Sequence, residues 1–313
     1  MKPSVAIATG DPAGIGPEIS LKAARDPAVL DLCRPVLVGD RAVLELHARA
    51  CGLSLEGIEL LPVKQDLPAL GTVAPGHGRA ALAAAESAIR AALEGRFAAV
   101  VGAPHTEAAV HAAGIEFDGY PSFVARVCGL QPEDAILMLC FRHGERELRI
   151  AHATLHTSVR AALAMITIPR VAKTVRAVHD ALVKLGIERP KIAVSGVNPH
   201  AGESGAFGRE EIEVIDPALE QARGEGIVAD GPIGADTLIH RAGYDAFVVM
   251  LHDQGHVAAK ALAPQRIAAL TLGTPVLFSS VGHGSALDIA GQGCADATAM
   301  REAITRLVGD RGF

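Results

Sequence analysis

The sequence predicts an α/β fold in which parallel strands are covered by helices on both faces. Short β-branched and apolar runs alternate with alanine-rich amphipathic stretches along the whole chain, which is the pattern of strands alternating with helices. The strand-like runs are continuously apolar, as expected for strands buried on both faces. Half of the 313 residues are hydrophobic and 20% are charged, so the chain can build a large core or two smaller ones.

Eight strand-like runs follow one another along the chain. They are Val5–Ala8, Val36–Val38, Ala98–Val101, Ile136–Leu139, Leu148–Ala151, Ile192–Val194, Ala246–Met250 and Ala268–Leu272. The clearest helical stretches are Gly78–Leu93 and Pro169–Leu185. Proline suits the first turn of the second helix because it lacks an N–H that would be unpaired there.

The composition argues against several classes of partner. A formal net charge of -6 disfavours nucleic acid or an anionic membrane. No apolar run approaches the ~20 residues of a membrane span, so we expect a soluble, cytoplasmic protein. The five cysteines are odd in number and lack C-x-x-C spacing, which predicts reduced thiols rather than disulfides or a thiolate zinc site.

Two glycine-rich segments have distinctive sequences. The first, Thr9–Glu18, reads TGDPAGIGPE and follows the first strand. It does not complete the G-x-G-x-x-G dinucleotide motif, because position 19 is Ile19, and it is interpreted as a tight turn into a helix that begins near Pro17. The second, Gly282–Gly293, places His, Ser and Asp between glycines, which is more polar chemistry than a turn requires.

Three histidines lie in polar, glycine-containing segments that follow strand-like runs. They are His156 in ATLHTSVR, His200 in GVNPHAGESG and His252 in MLHDQGH. Three neutral imidazoles leave one position open on a metal ion, as in a catalytic site. The neighbouring Asp253 and Glu203 could fix the tautomers of these rings. The sequence therefore predicts a divalent metal, zinc first, with Co²⁺, Mn²⁺ and Ni²⁺ as alternatives.

The two glycine-rich segments together resemble those of the isocitrate/isopropylmalate dehydrogenase fold family. That family carries a G-D-x-I-G-P-E start and an H-G-S-A-x-D-I-A-G loop around the adenosine of a nicotinamide cofactor. The resemblance implies two interlaced α/β domains with a cleft between them, formed by residues 1–120 with 280–313 and by residues 121–279. It implies NAD, since a carboxylate in the loop accepts bonds from ribose hydroxyls and repels a 2′-phosphate. The implied cofactor-binding residues are His283, Gly284, Ser285, Ala286 and Asp288.

Over almost its whole length the chain resembles the metal-dependent 4-hydroxythreonine-4-phosphate dehydrogenase family. The resemblance runs through GDPAGIGPE, AGIEFDGY, ATLH, NPHAGESG, GPIGADT, YDAFVVMLHDQGH and GHGSALDIAG. It implies that the three histidines are metal ligands shared across a homodimer interface. It also implies that Asp236 and Asp253 line the metal pocket and that Lys260 contacts a small-molecule substrate.

The substrate pocket departs from that family. A Gly-His-Thr-Glu stretch reads GYPS here, so that Tyr120, Pro121 and Ser122 become the implied substrate-binding residues, and the family's Asn and Arg correspond to Ala269 and Phe278. Charge-assisted contacts dominate phosphate recognition. The loss of the family's His, Asn and Arg at these positions favours a flatter, more apolar pocket that suits a substrate with a carbon ring.

The variant motifs FDGYPS, LHTSVRAAL, GPIGAD, MLHDQGH and LFSSVGHGSALDIAG are similar to the terephthalate cis-dihydrodiol dehydrogenase branch of this family. That branch implies NAD-dependent oxidation and decarboxylation of a cis-dihydrodiol dicarboxylate to protocatechuate in aromatic degradation. Lys260 and Arg266 are candidates to pair with a substrate carboxylate. The proton acceptor stays open among Asp236, Asp253 and Lys260. A phosphorylated hydroxy-acid substrate, a metal-dependent hydrolase and a binding protein are the alternatives.

Overall fold

A computed structural model describes residues 2–263 and 266–308, which form two compact α/β units. The first unit comprises the described residues up to Ala135 and those from Thr274 onward, and the second comprises Ile136–Gly273. These limits differ from the predicted domain limits at 120/121 and 279/280, because Val124 and Val276 both lie in the core of the first unit. Residues 309–313 of the predicted first domain lie outside the described residues.

Strands and helices alternate along the described chain. The strands are β1 Ser4–Ala8, β2 Arg34–Gly39, β3 Glu59–Pro62, β4 Ala99–Gly102, β5 Ile136–His143, β6 Arg146–His152, β7 Lys191–Ser195, β8 Val228–Ile233, β9 Ala246–Val249, β10 Ala268–Leu272 and β11 Phe278–Val281. The helices are α1 Gly16–Ala24, α2 Pro27–Leu32, α3 Arg41–Cys51, α4 Pro75–Leu93, α5 Glu107–Ala112, α6 Tyr120–Val127, α7 Val159–Met165, α8 Ile168–Lys184, α9 Asp216–Gly224, α10 Ala235–Leu238, α11 His252–Leu262 and α12 Thr298–Val308.

Residues at the helix ends explain where helices begin and stop. At the start of α3 the Asp40 carboxylate accepts hydrogen bonds from the N–H groups of Ala42 and Val43, and at its end Gly52 is left-handed with φ 66°; a side-chain acceptor first and a glycine last are common helix limits. Proline occupies the first turn of α8, as the sequence predicts, and the Thr167 side chain caps that helix. Local sequence therefore sets these limits.

The first unit contains a parallel sheet in the order β3-β2-β1-β4-β11. Its core packs α4 and α6 against the strands through buried side chains that include Val38, Ile89, Val100 and Phe278. Because the strands are parallel, their carboxyl ends meet at one edge. The glycine-rich segments after β1 and β11 both start from this edge.

The second unit contains a mixed sheet in the order β10-β5-β6-β9-β7-β8. Strands β6, β9, β7 and β8 are parallel, but β10 and β5, and β5 and β6, pair antiparallel. The prediction of parallel strands is therefore wrong for the β10–β5 and β5–β6 pairs of this unit. The reason is local: β5 and β6 form a hairpin through a tight turn at Gly144, whose φ is 60°, and so short a link joins only antiparallel strands.

All eight predicted strands and both predicted helices occur in the structure, with limits shifted by a few residues. The strands that the sequence did not predict are β3, β8 and β11. They are short and read ELLP, VADGPI and FSSV, so proline, glycine or serine interrupts the apolar pattern. Among the described residues, no helix combines the length and the apolar character of a membrane span.

Candidate active site

The three predicted metal-ligand histidines emerge at one edge of the second unit's sheet. His156 follows β6, His200 follows β7, and His252 begins α11 directly after β9. Strands β6, β9 and β7 are parallel neighbours, so their carboxyl ends lie side by side. This is the edge at which open α/β sheets bind ligands.

His156 and His252 form a close pair. Their ring centroids lie 5.6 Å apart. Two imidazoles that bind one zinc ion at about 2.0–2.1 Å have ring centroids roughly 5 Å apart, so the observed spacing suits two ligands of one metal ion. Both rings line a cavity of about 320 Å³, together with Thr154, Val159 and Asp253.

Asp253 fixes the orientation of the His252 ring. Its Oδ1 lies 2.7 Å from His252 Nδ1, and its side chain is 85% exposed. A carboxylate at Nδ1 holds the proton on that nitrogen and leaves Nε2 available to a metal ion. Asp253 thus contacts a predicted ligand histidine, in addition to its predicted place in the metal pocket.

His200 lies in an unusual left-handed turn. The five residues His200–Ser204 all have positive φ, between 43° and 80°, although only one of them, Gly202, is glycine. Left-handed backbone costs a non-glycine residue roughly 1–2 kcal/mol, and such strain persists only where surrounding contacts hold it. The turn therefore requires an anchor.

Glu211 provides that anchor, and the sequence did not reveal it. It is 2% exposed, its Oε1 accepts hydrogen bonds from the N–H groups of Val197 and Asn198, both at 2.8 Å, and its Oε2 accepts one from Asn198 Nδ2 at 2.9 Å. Cβ atoms on Gly196 and Gly202 would lie 2.8 Å and 2.6 Å from this carboxylate. The two glycines thus make room for the buried carboxylate beneath the His200 turn.

We expect Glu211→Gln to destabilise the protein by about 3 kcal/mol, since an amide cannot accept all three N–H groups and buried unpaired donors cost about 1–3 kcal/mol each. Urea unfolding measures the change. The matched control is Glu210→Gln: Glu210 is exposed and its carboxylate accepts a hydrogen bond from Asn198 Nδ2 at 2.6 Å, so loss of this exposed charge should cost below about 1 kcal/mol. Equal effects of the two variants would contradict the anchoring role.

The residues present suit a divalent metal, although the described part of one chain does not complete a three-ligand group. Among the described residues, no three His, Cys, Asp or Glu side chains are grouped to hold a metal ion. His200 is instead bonded through Nδ1 to Glu203 Oε1 at 3.2 Å, and its side chain is 64% exposed. As with His252, a carboxylate at Nδ1 directs Nε2 towards a metal. The donor chemistry therefore fits, and the His156–His252 pair needs a further ligand.

Two additional histidines, His152 and His256, extend the cluster, although their sequence context does not single them out. His256 stacks on His252 with ring centroids 3.8 Å apart and planes within 8°. Its Nδ1 lies 3.1 Å from Nε2 of His152, which is 1% exposed. Burial lowers the pKa of His152 to about 3, with a smaller contribution from the nearby His256. The i, i+4 spacing of His252 and His256 in a helix is the signal that could have revealed the second ring.

Asp236 and Lys260 are both exposed near these histidines. Asp236 lies in the first turn of α10, next to His200: a Cβ atom on Gly234 would be 2.8 Å from Asp236 Oδ1 and 3.6 Å from His200 Cα. Lys260 lies in the last turn of α11, four residues after His256 and eight after His252, so the three share one helix face. The structure thus places Asp236 beside His200 and Lys260 on the helix face of His252 and His256.

The aromatic residues of the predicted substrate pocket are core residues of the first unit. Tyr120 is 5% exposed, its hydroxyl donates a hydrogen bond to Ala103 O at 3.0 Å, and burial raises the pKa of that hydroxyl. Its ring packs on Phe278 at 5.0 Å between centroids. Pro121 and Ser122 are half-buried in the first turn of α6, and Ala269 packs against the core of the second unit.

We expect Phe278→Ala to destabilise the protein by about 3–5 kcal/mol, because Phe278 is 1% exposed and truncation of a buried phenylalanine leaves a cavity. Phe207→Ala is the matched control, since Phe207 is 56% exposed and should change the free energy of unfolding by only about 0.5 kcal/mol. Urea unfolding compares them. A Phe278→Ala protein of unchanged stability would mean that the ring lines a pocket rather than the core.

The predicted cofactor loop has features of a binding segment in the first unit. Ser285 Oγ is buried without a hydrogen-bond partner in the described part of the chain, Ala286 has a left-handed φ of 39°, and Asp288 is exposed. His283 is exposed, and its Nδ1 donates to Gly284 O at 3.0 Å. An unpartnered hydroxyl and an exposed carboxylate three residues apart in one loop suit a polyhydroxylated ligand such as a dinucleotide.

The two glycine-rich segments contact each other. The N–H of Ile15 donates to Ser285 O at 2.9 Å, and a Cβ atom on Gly14 would lie only 2.6 Å from Ser285 Cβ. The buried Glu18 also holds the C-terminal segment, because its Oε1 accepts a hydrogen bond from Ala295 N at 2.9 Å. The first segment therefore supports the second, which is more than the simple turn that the sequence indicated.

Comparison with known proteins finds relatives of the chain over almost its whole length. The family model described as pyridoxal phosphate biosynthetic protein PdxA matches residues 31–307. A 1,2-dihydroxy-3,5-cyclohexadiene-1,4-dicarboxylate dehydrogenase from Comamonas sp is 41% identical over 97% of this chain and 96% of its own length. A 4-hydroxythreonine-4-phosphate dehydrogenase from Chromobacterium violaceum is 39% identical over 97% of this chain and 95% of its own length.

Solved structures give the same family. The terephthalate 1,2-cis-dihydrodiol dehydrogenase from Burkholderia xenovorans LB400 has a TM-score of 0.75 at 42% identity and covers 98% of both chains. A β-decarboxylating dehydrogenase from Thermococcus kodakarensis has a TM-score of 0.54 at 16% identity, covering 99% of this chain and 83% of its own, which indicates a shared fold alone. The chain therefore belongs to the PdxA family of dehydrogenases.

Proposed function

We propose that the protein catalyses the NAD-dependent, metal-dependent oxidative decarboxylation of a cis-dihydrodiol dicarboxylate, the terephthalate dihydrodiol, to protocatechuate. One observation carries the proposal. The positions that resemble the phosphate-binding sites of the family hold Tyr120, Ala269 and Phe278, whose side chains pack in the protein cores. None of them offers the charged or amide donors that phosphate recognition uses. The Comamonas relative, whose name gives a ring dicarboxylate substrate, supports the same choice.

The reaction removes a hydride, a proton and CO2 from the substrate. The hydride leaves ring carbon C2 for NAD, the proton leaves the C2 hydroxyl, and the new ketone is β to the C1 carboxylate. Loss of CO2 then produces an enolate that is already the aromatic diphenol, which makes this step strongly favourable. A bound divalent metal supplies Lewis acidity, which lowers the pKa of the reacting hydroxyl and polarises the ketone.

Residues of this chain divide the remaining tasks. His156 and His252 would hold the metal at the cavity, with Asp253 orienting His252. Lys260 would pair with a ring carboxylate, with Arg266 as the second candidate, since both are cations that can bind an anion. Asp236 is our first candidate for the proton acceptor, because it is exposed beside His200 and the carboxylate of Asp253 is already bonded to His252. Ser285 and Asp288 would bind the adenosine ribose of NAD.

We also propose a homodimer in which His200 of a second copy completes the His156–His252 pair. One chain leaves this pair without a third ligand among the described residues. Large apolar side chains beside it are exposed: Val159 by 67% and Leu163 by 49% on α7. Apolar surface next to a functional site is typical of an interface. Sedimentation should therefore give a dimer, and Leu163→Glu should dissociate it with loss of bound metal.

The second candidate function is that of a 4-hydroxythreonine-4-phosphate dehydrogenase or a related phosphorylated hydroxy-acid dehydrogenase. It is favoured by the Chromobacterium violaceum relative, which is nearly as similar as the first at 39% identity. Both reactions oxidise a CH–OH group and then lose CO2 from a β-keto acid. The residues for oxidation and decarboxylation therefore do not distinguish the two functions. The residues that bind the rest of the substrate must distinguish them.

The deciding experiment is a kinetic comparison of the dihydrodiol and 4-phosphooxy-threonine, each with NAD and Zn²⁺ or Co²⁺. We expect kcat/KM for the dihydrodiol to be higher by at least about 100-fold, which corresponds to two missing charge-assisted contacts of about 1.5 kcal/mol each, with CO2 released in step with NADH. The reverse preference would overturn the proposal in favour of the second function. NADH formation from neither substrate, with no measurable NAD binding, would favour a hydrolase or a binding protein.

A further inference from the structure

His152 and His256 form a hydrogen-bonded pair directly behind the metal-ligand histidine His252. The ring of His152 is buried at the end of β6, and its Nδ1 lies 3.3 Å from Leu137 O. A backbone carbonyl only accepts hydrogen bonds, so the proton of a neutral His152 is on Nδ1 and its Nε2 is an acceptor. The carbonyl of Leu137 thus sets the tautomer of the first ring.

The tautomer of His152 in turn determines the tautomer of His256. His256 Nδ1 lies 3.1 Å from His152 Nε2 and 3.2 Å from His252 O. Both neighbours are acceptors, so His256 Nδ1 carries a proton and donates it. The donor contacts fix the His256 ring in rotation, with its face against the His252 ring at 3.8 Å and 8° between the planes.

The orientation of His252 matters because an imidazole lone pair lies in the plane of its ring. A metal ion must lie in that plane. If the ring tilts, its lone pair no longer points at the metal ion. Asp253 can hold the Nδ1 proton of His252, but its side chain is 85% exposed and supplies a contact at one point. The His256 ring, stacked parallel on the His252 ring, restrains the whole plane of His252.

Gly255 gives independent support that this arrangement is built into the fold. Glycine inside a helix costs about 1 kcal/mol relative to alanine, and Gly255 lies inside α11. A Cβ atom there would be 2.2 Å from His152 Nε2 and 2.9 Å from His152 Cε1. The His152 ring therefore occupies the space that a side chain at position 255 would fill.

We propose that His152 and His256 are a positioning pair for the metal ligand His252: His152 fixes the rotation and the protonated nitrogen of His256, and the His256 ring holds the plane of His252. The role rests on the proposed function only in that His252 binds the metal. The hydrogen-bond order itself does not depend on a metal.

The first experiment uses the metal-free wild-type protein with ¹⁵N-labelled histidine. Two-bond ¹H–¹⁵N correlation spectra report which ring nitrogen carries the proton, and the resonances are assigned with His152→Gln and His256→Asn. We expect both rings as neutral Nδ1–H tautomers, although Nε2–H is the usual form in water. An Nε2–H tautomer at either ring would overturn the proposal without touching the proposed function.

The second experiment titrates the full-length protein with Co²⁺ and follows its visible absorption bands. His256→Asn keeps a donor near the Nδ1 position but removes the ring face, and we expect it to weaken Co²⁺ binding by about 10–100-fold, the usual effect of losing a partner behind a ligand, and to change the band shape. The control is His143→Asn, since His143 is an exposed residue of the β5–β6 hairpin. Binding and bands that match wild type in a folded His256→Asn protein would overturn the proposal.

Two further results separate the possible failures. His256→Phe restores a ring face, so we expect its Co²⁺ bands to lie closer to those of wild type than the bands of His256→Asn do. If wild type itself binds no Co²⁺, the proposed metal site fails, and the positioning role fails with it even where the tautomers are as expected. If His256→Asn does not fold, the tautomer spectra of wild type, with assignment from His152→Gln alone, still decide the hydrogen-bond order.

Discussion

His252→Ala should remove the bound metal and lower turnover of the dihydrodiol by about 10³-fold or more, since Lewis acidity contributes several kcal/mol to such reactions. The ring centroids of His252 and His156 lie 5.6 Å apart, and Asp253 and His256 contact His252. Loss of His252 therefore leaves one imidazole of this pair at the cavity. Metal content by mass spectrometry and initial rates of NADH formation measure the two effects.

The matched control for this variant is His143→Ala, which removes an exposed imidazole from a hairpin turn. It should keep both metal and activity. A further control is the free energy of unfolding of the metal-free His252→Ala protein, because loss of folding would mimic loss of the site. Full activity in metal-free wild-type protein would show that the histidine cluster serves another purpose.

Asp288→Asn should reduce the preference of the enzyme for NAD over NADP. The wild-type carboxylate is exposed in the cofactor loop, and a like charge beside a 2′-phosphate costs several kcal/mol, so we expect wild type to discriminate by about 100-fold or more. Removal of the charge should lower this ratio by roughly tenfold while retaining most of the NAD affinity. Dissociation constants for both cofactors measure it.

Asp296→Asn is the matched control, because Asp296 lies a few residues farther along the chain and its carboxylate is already bonded to Thr298 N at 2.8 Å and Thr298 Oγ1 at 2.7 Å. The hydrogen bonds to Thr298 lower its pKa. This variant should leave the cofactor ratio unchanged. Equal use of NAD and NADP by the wild-type protein would remove Asp288 from the selecting role.

Much of the fold could be predicted because its strands are buried on both faces. Runs such as Val5–Ala8 and Ala246–Met250 are continuously apolar, and local rules such as proline in the first turn of α8 set helix limits. The errors arose where the local hydrophobic pattern of a strand does not indicate whether the strand pairs parallel or antiparallel. The strands of the antiparallel β5–β6 hairpin are buried over most of their length, as parallel strands are, and the short turn at Gly144 distinguishes the hairpin.

The candidate site was predictable only in part, for a related reason. Residue type and spacing single out His156, His200 and His252, but burial of a polar or aromatic side chain depends on contacts from distant segments. Tyr120 illustrates this, since its hydroxyl is bonded to Ala103 within the core of the first unit. Glu211 illustrates the opposite error, because an acidic residue in a polar stretch gives no sign that it is buried beneath a strained turn.

The sequence alone determined the α/β class and the family, and it predicted the metal-ligand histidines and the cofactor loop, because each depends on residue types in a local order. The tertiary structure decided which side chains meet. It placed His152 and His256 behind His252, put Glu211 under the His200 turn, and moved Tyr120 and Phe278 from a pocket into a core. Such contacts join residues far apart in the chain, and only the packing of strands and helices brings them together.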